Sequence, residues 1–378
     1  MLPTPELHLS GERFAVLYRI AGADEAEARQ KAFEVAVEQT IEFPYELAPA
    51  NIQEQVVGRI EALEPAGSGA WMARISYAVE SSGFELPQLL NVLFGNSSIK
   101  PGIRVERLEL PEPLLKHFRG PRFGVAGLRA SLGVPERPLL CTALKPMGLS
   151  ARELADLAYQ FALGGIDIIK DDHGLADQPF SPFLERVARC AEAVARANAE
   201  TGGRAIYMPN VTAPADRLHR YARKAKELGA GGLLLAPGLA GFDAMRMLAD
   251  DDEINLPIMA HPAFLGSFVT SPASGISHYA LFGQIARLTG ADASVYPNWG
   301  GRFSFSKAEC ASIAEGCAAR MGDLYPIFPS PGGGMSLERV PEMYEVYGRD
   351  VIFLIGGGLF KKGPDLVANC REFLRMIS

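Results

Sequence analysis

Beyond Pro138 one pattern recurs. A short apolar run is followed by a break carrying Gly, Asn, Asp or His, and then by a stretch whose apolar positions repeat at the helical period. The apolar runs predict strands over 139–144, 166–170, 205–208, 232–236, 257–261, 293–296, 325–328 and 351–355. Helices are predicted over 151–163, 183–199, 213–228, 274–288 and 306–321, the first opened by the capping box Ser150-Ala151-Arg152-Glu153. Strands that are apolar almost throughout belong to a parallel sheet covered by helices. Eight strand–helix units in roughly 240 residues fit a (β/α)8 barrel, with an open doubly wound sheet as the competing arrangement.

The first 120 residues read differently. Strands over 13–20, 55–63 and 69–79 and helices over 23–39 and 86–93 describe a smaller α+β domain, followed by a loop-rich connection over 101–129. The expected organisation is an N-terminal α+β domain over 1–120 and a barrel over 121–378. A barrel carries its chemistry where its strands end. Lys145, the run Lys170-Asp171-Asp172-His173, Asn210, His261, Asn298 with Arg302, Gly332-Gly333-Gly334 and Gly356-Gly357-Gly358 all fall at such ends.

Composition narrows the field. With 48% apolar and 21% charged residues the chain has the make-up of a globular enzyme, and a net charge of -7 argues against a nucleic-acid groove or an anionic membrane surface. Five cysteines without CxxC spacing fit reduced thiols in a cytoplasmic protein. No apolar run reaches about 18 residues, so no membrane span is expected. The start, Met1-Leu2-Pro3-Thr4-Pro5-Glu6, lacks the basic and apolar segments of a secretion signal. No Walker, GxGxxG, GxSxG or HExxH motif occurs.

The strand-end residues allow two readings each. Clustered carboxylates in Lys170-Asp171-Asp172-His173 suit a hard cation, or else form a salt-bridged loop with Lys170 as the partner. A lysine at a buried strand end is costly unless it is paired, deprotonated or modified. The two triglycines suit a phosphate held by crowded backbone N–H groups, or two tight turns. Lys145 reads as a base at the barrel mouth or as a phosphate-binding or surface lysine. His261 reads as an acid–base group or as a hydrogen-bonded core residue.

Taken together, Thr142-Ala143-Leu144-Lys145-Pro146-Met147-Gly148-Leu149-Ser150, Gly164-Gly165-Ile166-Asp167-Ile168-Ile169-Lys170-Asp171-Asp172-His173 with Gln178-Pro179-Phe180, Asn210-Val211-Thr212-Ala213 and the two triglycines resemble the large subunit of ribulose-bisphosphate carboxylase/oxygenase (RuBisCO). More specifically, the chain resembles the RuBisCO-like, form IV proteins, which share the fold without fixing carbon dioxide. The resemblance implies a carbamate formed by carbon dioxide on Lys170. It implies Mg²⁺ held by that carbamate, Asp172 and the residue at His173, with Lys145 and His261 beside the reacting carbons. It also implies a substrate phosphate on Gly333, Gly334, Gly357 and Gly358. A homodimer is implied, with sites at the subunit interface, towards which Asn91 and Glu38 of the N-terminal domain reach.

The departures from the carboxylase pattern point to a different reaction. His173 stands where the third metal ligand is a glutamate, Met147 where a second lysine is, and Pro262 where an arginine is. Val295 or Tyr296 replaces a histidine, Gly332 a serine, and Arg302 is the nearest match to the mobile-loop lysine. Groups for a second phosphate and for a new carboxylate are thus missing. What remains is enolisation of a phosphorylated keto-sugar, as in 5-methylthioribulose 1-phosphate isomerase or the diketo-methylthiopentyl phosphate enolase of sulfur salvage, with Met147, Val295 and Trp299 lining a place for a thioether. A decarboxylase or transcarboxylase of a keto-sugar-acid phosphate, with Arg302 as carboxylate clamp, is the alternative. A non-catalytic protein that keeps only the fold is the third reading.

Overall fold

The computed structural model describes residues 3–67, 69–301, 303, 305–333 and 336–377. Its strands in chain order are β1 (Arg13–Ala21), β2 (Arg59–Pro65), β3 (Ala70–Ala78), β4 (Ile103–Glu109), β5 (Leu139–Leu144), β6 (Ile168–Asp171), β7 (Ile206–Met208), β8 (Leu233–Leu235), β9 (Ile258–Ala260), β10 (Gly275–Ile276), β11 (Ala293–Pro297), β12 (Phe328–Gly332) and β13 (Ile352–Leu354). They fall into two compact units. No helix among the described residues is long and apolar enough to cross a membrane.

The smaller unit contains the chain up to Arg119 together with Leu265–Gln284 and Arg320–Leu324. Its sheet has the order β10-β4-β1-β3-β2, antiparallel except where β10 runs parallel to β4. Ala28, Ala32, Val35 and Ala36 form the buried stripe of the helix Glu25–Glu38, which Asp24 caps by accepting from Glu27 N. The buried Gln284 side chain clamps β4 at both Leu108 N (2.8 Å) and Leu108 O (2.7 Å).

Three expectations need correction here. The 101–129 stretch is not loop-rich but holds β4 and the helices Glu112–Leu115 and Gly124–Leu132, since the charges alternating along β4 hide its buried face. The 55–63 strand begins later, at Arg59, after the short helix Ala50–Gln55. The single helix over 274–288 is instead β10, the π-helical Tyr279–Ile285 and the short Ala286–Leu288. Its first residues bond to β4, with Ser277 N donating to Val105 O at 2.8 Å.

The larger unit is the barrel. All eight strands are parallel, in the order β7-β6-β5-β13-β12-β11-β9-β8. The open-sheet alternative is excluded because β7 and β8 meet, through the bridge Asn210↔Leu234 and bonds such as Val211 N to Leu234 O at 2.9 Å. Alternate residues point inward. Leu139, Cys141, Ile168, Met208, Leu234, Met259, Ala293, Val295, Phe328, Ile352 and Leu354 make one buried cluster, joined by Leu128 and Leu132 of the helix Gly124–Leu132. The strand expected over 325–328 lies later, at Phe328–Gly332, because Pro329 and Pro331 disguise it. Those prolines have no N–H to give, and the β12–β13 ladder registers only Gly332↔Leu354.

At the start of β11 the Asp292 carboxylate fixes this arrangement. It accepts from Phe123 N and Gly124 N (both 2.7 Å) and from Ile258 N (2.9 Å). Burial pushes its pKa up to about 6, against the pull of the three N–H donors. The folded carboxyl therefore binds its proton more tightly than the unfolded one, and its contribution to stability grows as pH falls from about 6 towards 4. Asp292→Asn should destabilise the protein by about 1–3 kcal/mol at neutral pH, since one amide nitrogen then faces a backbone N–H. The gap between variant and wild type should widen on acidification through that window, as read by urea denaturation at a series of pH values.

Candidate active site

The alternation that fills the barrel also selects what emerges at its C-terminal end. In β6, Ile168 points inward, so Lys170 does too, and Asp172 lies beyond it on the same side. Asp171 points the other way, towards the helix Phe183–Thr201. The equivalent positions two residues past Met208 and Met259 are Asn210 and His261.

Lys170 is 2% exposed, and its Nζ donates to the Asp171 carbonyl at 3.1 Å. Burial, reinforced by the charge of Lys145, lowers its pKa. Asp172 is reached by two groups on one oxygen: Lys145 Nζ lies 2.9 Å and His173 Nδ1 3.3 Å from Oδ1. Burial opposes ionisation of this carboxyl, but the His173 and Lys145 hydrogen bonds and the Lys145 charge overcome it, and its pKa falls well below the usual range. Oδ2 is left for another ligand. The His173 and His261 rings stack at 4.3 Å, 13° apart. Burial, then the charges of Lys170 and His173, push the His261 pKa well below its usual value, so the ring is neutral at pH 7. Its Nδ1 accepts from Ala263 N at 3.2 Å, which puts the ring hydrogen on Nε2.

Lys145, Lys170, Asp172, His173 and His261 are therefore brought together. Gly333 lies just past β12, exposed, with φ +80, a conformation glycine adopts freely. Gly357 and Gly358 begin the short helix Gly357–Lys361, and a Cβ at Gly356 or Gly357 would meet nothing within 4 Å. Arg302 and Gly334 lie outside the described residues. Asn91 is exposed on the helix Leu86–Phe94 of the smaller unit, and Glu38 accepts from Asn96 Nδ2 at 3.0 Å in that unit. Val295 and Trp299, expected to line the site, do not: Val295 belongs to the barrel core, and Trp299 is 8% exposed beneath Arg339 and Lys307. Met147, at 50% exposure, is available.

The sequence reading passed over the support behind these groups. Asp171 is fully buried and accepts from Arg186 Nε (3.0 Å), Tyr207 OH (2.7 Å) and Asn210 N (3.0 Å). Arg186 also donates to Ser181 O at 2.6 Å and Ala176 O at 2.7 Å. Asn210 Nδ2 donates to His173 O and Leu175 O, both at 2.9 Å. A signal existed: Arg186 sits within the buried stripe Phe183, Val187 and Cys190, where an unpaired charge is not tolerated. Replacing Arg186 by Met leaves the Asp171 charge buried without its ion partner, and should cost about 3–5 kcal/mol in chemical denaturation. Replacing both, as Arg186→Met with Asp171→Leu, should recover part of that loss. A cost below about 1 kcal/mol for the single change would show the pair to be dispensable.

Comparison with known proteins agrees with this fold. The ribulose bisphosphate carboxylase large chain catalytic domain family matches residues 124–302. A ribulose bisphosphate carboxylase-like protein of Rhodopseudomonas palustris is 39% identical over 363 residues, 96% of either chain. The 5-methylthioribulose-1-phosphate isomerase of Rhodospirillum rubrum is 39% identical over 370 residues, 97% of this chain and 96% of that one. The crystal structure of a RuBisCO-like protein from Rhodopseudomonas palustris superposes with a TM-score of 0.87 at 40% identity, covering 97% of both chains. The barrel, its strand-end residues and this near full-length similarity make the chain a member of the RuBisCO-like branch of the ribulose bisphosphate carboxylase large-chain family.

Proposed function

We propose that this protein enolises a phosphorylated keto-sugar and returns the proton to a neighbouring carbon, acting as an isomerase of the 5-methylthioribulose 1-phosphate type. The observation that carries the reading is the Lys145–Asp172 pair at 2.9 Å standing over the buried Lys170. The similarity to the Rhodospirillum rubrum isomerase along almost the whole chain supports it.

The donor set fits a divalent cation once Lys170 is carbamylated. Among the described residues no three His, Cys, Asp or Glu side chains gather as a metal site. Asp172 keeps Oδ2 for a ligand, and His173 stands beside it. A third donor would come from Lys170: its lowered pKa makes the neutral amine accessible, and attack on carbon dioxide forms an N–C bond, releases one proton and leaves an anionic oxygen pair. Mg²⁺ in that set would polarise the substrate carbonyl and ease loss of the proton next to it.

The chain's own groups then divide the work. Lys145, poised on Asp172, would first release its own proton to solvent, then take the proton from the carbon beside the carbonyl and later give it back. His261, neutral with hydrogen on Nε2, donates to the oxygen that becomes enolic. The exposed backbone at Gly333 and Gly357, with Gly334 and Gly358, suits one phosphate. The reading includes a homodimer, towards whose neighbouring site Asn91 and Glu38 would reach, and light scattering in solution checks that part.

In D2O with Mg²⁺ and bicarbonate, wild-type enzyme should wash deuterium into 5-methylthioribulose 1-phosphate. Lys145→Met should slow this by about 10²–10⁴-fold. Lys170→Met should abolish any stimulation by bicarbonate. Absence of wash-in by the wild type would overturn the reading, and undiminished exchange in Lys145→Met would remove that lysine from it.

A further inference from the structure

Lys145, Lys170, Asp172, His173 and His261 are cationic, anionic or imidazole, and an apolar side chain, Met147, stands beside them. Met147 stands two residues beyond Lys145, half exposed, and its terminal methyl lies over Gly174. A Cβ at Gly174 would fall 2.6 Å from Met147 Cε, closer than any real side chain permits, so the missing side chain is what makes the seat. The same point is 3.5 Å from Asp172 Oδ2, the oxygen that neither Lys145 nor His173 occupies. A ligand approaching that oxygen therefore passes the Met147 methyl.

Resting on the enolising reading above, we propose that Met147, seated on Gly174, accepts the apolar end of the substrate. It thereby selects a keto-sugar monophosphate ending in an alkylthio or alkyl group over one ending in a hydroxyl. Three physical points support the assignment. An unbranched thioether adapts its shape to an apolar partner and offers sulfur-to-sulfur or sulfur-to-carbon dispersion contact. A hydroxyl brought against the same methyl gives up water for a group that can neither donate nor accept a hydrogen bond. With Val295 in the barrel core and Trp299 covered, Met147 is the one of these three apolar residues left open to a ligand. Gly174 becomes a second specificity position, because any side chain there displaces Met147.

The test measures recognition apart from chemistry. Two alditol monophosphates, one ending in methylthio and one in hydroxyl, lack the carbonyl and cannot be enolised. They are titrated calorimetrically into the full-length protein with Mg²⁺ and bicarbonate. The wild type should favour the methylthio compound about tenfold, within the range a small apolar group gives. Met147→Ala and Gly174→Ala should each lower that ratio about fivefold, and the double variant should lose little more than either, since both act on one seat. Met147→Lys should invert the preference. Unchanged thermal unfolding midpoints establish that the variants fold, as expected for a half-exposed side chain. A wild-type ratio near one, or a ratio unaffected by Met147→Ala, would overturn the proposal. Because these probes do not react, a selective wild type that fails to wash in deuterium loses the enolising reading alone, whereas wash-in with a flat ratio removes the Met147 assignment alone.

Discussion

A carboxylate sealed from water must be answered by donors on every side, and the barrel mouth is organised around one that is. Asp171 draws a guanidinium from the helix Phe183–Thr201, a phenol from β7 and a backbone N–H from Asn210. The helix Phe183–Thr201 and the end of β7 are thereby fixed at one point, behind the strand that presents Lys170 and Asp172. A buried ion pair of this kind is a weak contributor to net stability, because both ions were desolvated to make it. Its effect is on geometry. With Asp171 held, the residues before and after it in the strand have little freedom, and Asn210 holds the loop at His173 and Leu175 from the other side.

The strand alternation then sorts charge by role. Outward, Asp171 is fully compensated; inward, Lys170 has one weak backbone acceptor and Asp172 has a free oxygen. Burial in this small volume disfavours charge on Lys170 and His261, while the hydrogen bonds of Lys145 and His173 keep charge on Asp172. Cationic charge is thus disfavoured at Lys170 and at His261, while the Asp172 anion is paired with Lys145 at 2.9 Å.

Much of this was legible in the sequence. Leu139–Leu144 and Ala151–Leu163 were predicted to the residue, because an apolar run and a capping box are local signals. The strand-end positions of Lys145, Asp172, His173 and His261 followed from the apolar runs that end at them. The failures share a cause. The strand at Phe328–Gly332 is encoded by prolines that propensity counts against it, and β4 by alternating charges that mask its buried face. Arg186 and Gly174 act only through contacts with residues distant in the chain or through absent atoms. The same holds for Val295 and Trp299, whose apolar character fitted a lining but whose burial belongs to the core and to a cationic cover.

The proline strand has a consequence of its own. In a parallel strand the N–H groups of alternate residues serve alternate neighbours. Phe328 N serves the β11 side through Asp292 O, so Pro329 and Pro331 face β13 with nothing to donate. A slip of one residue would turn both prolines onto β11 and leave its carbonyls unanswered, so the strand carries its own register lock. The seam it leaves with β13 is closed by side chains such as Phe328 and Leu354 more than by a ladder. The two glycine loops that continue from these strands are thus carried on neighbouring staves with few rungs between them, and their separation is set by packing, which can yield by fractions of an ångström where a ladder cannot.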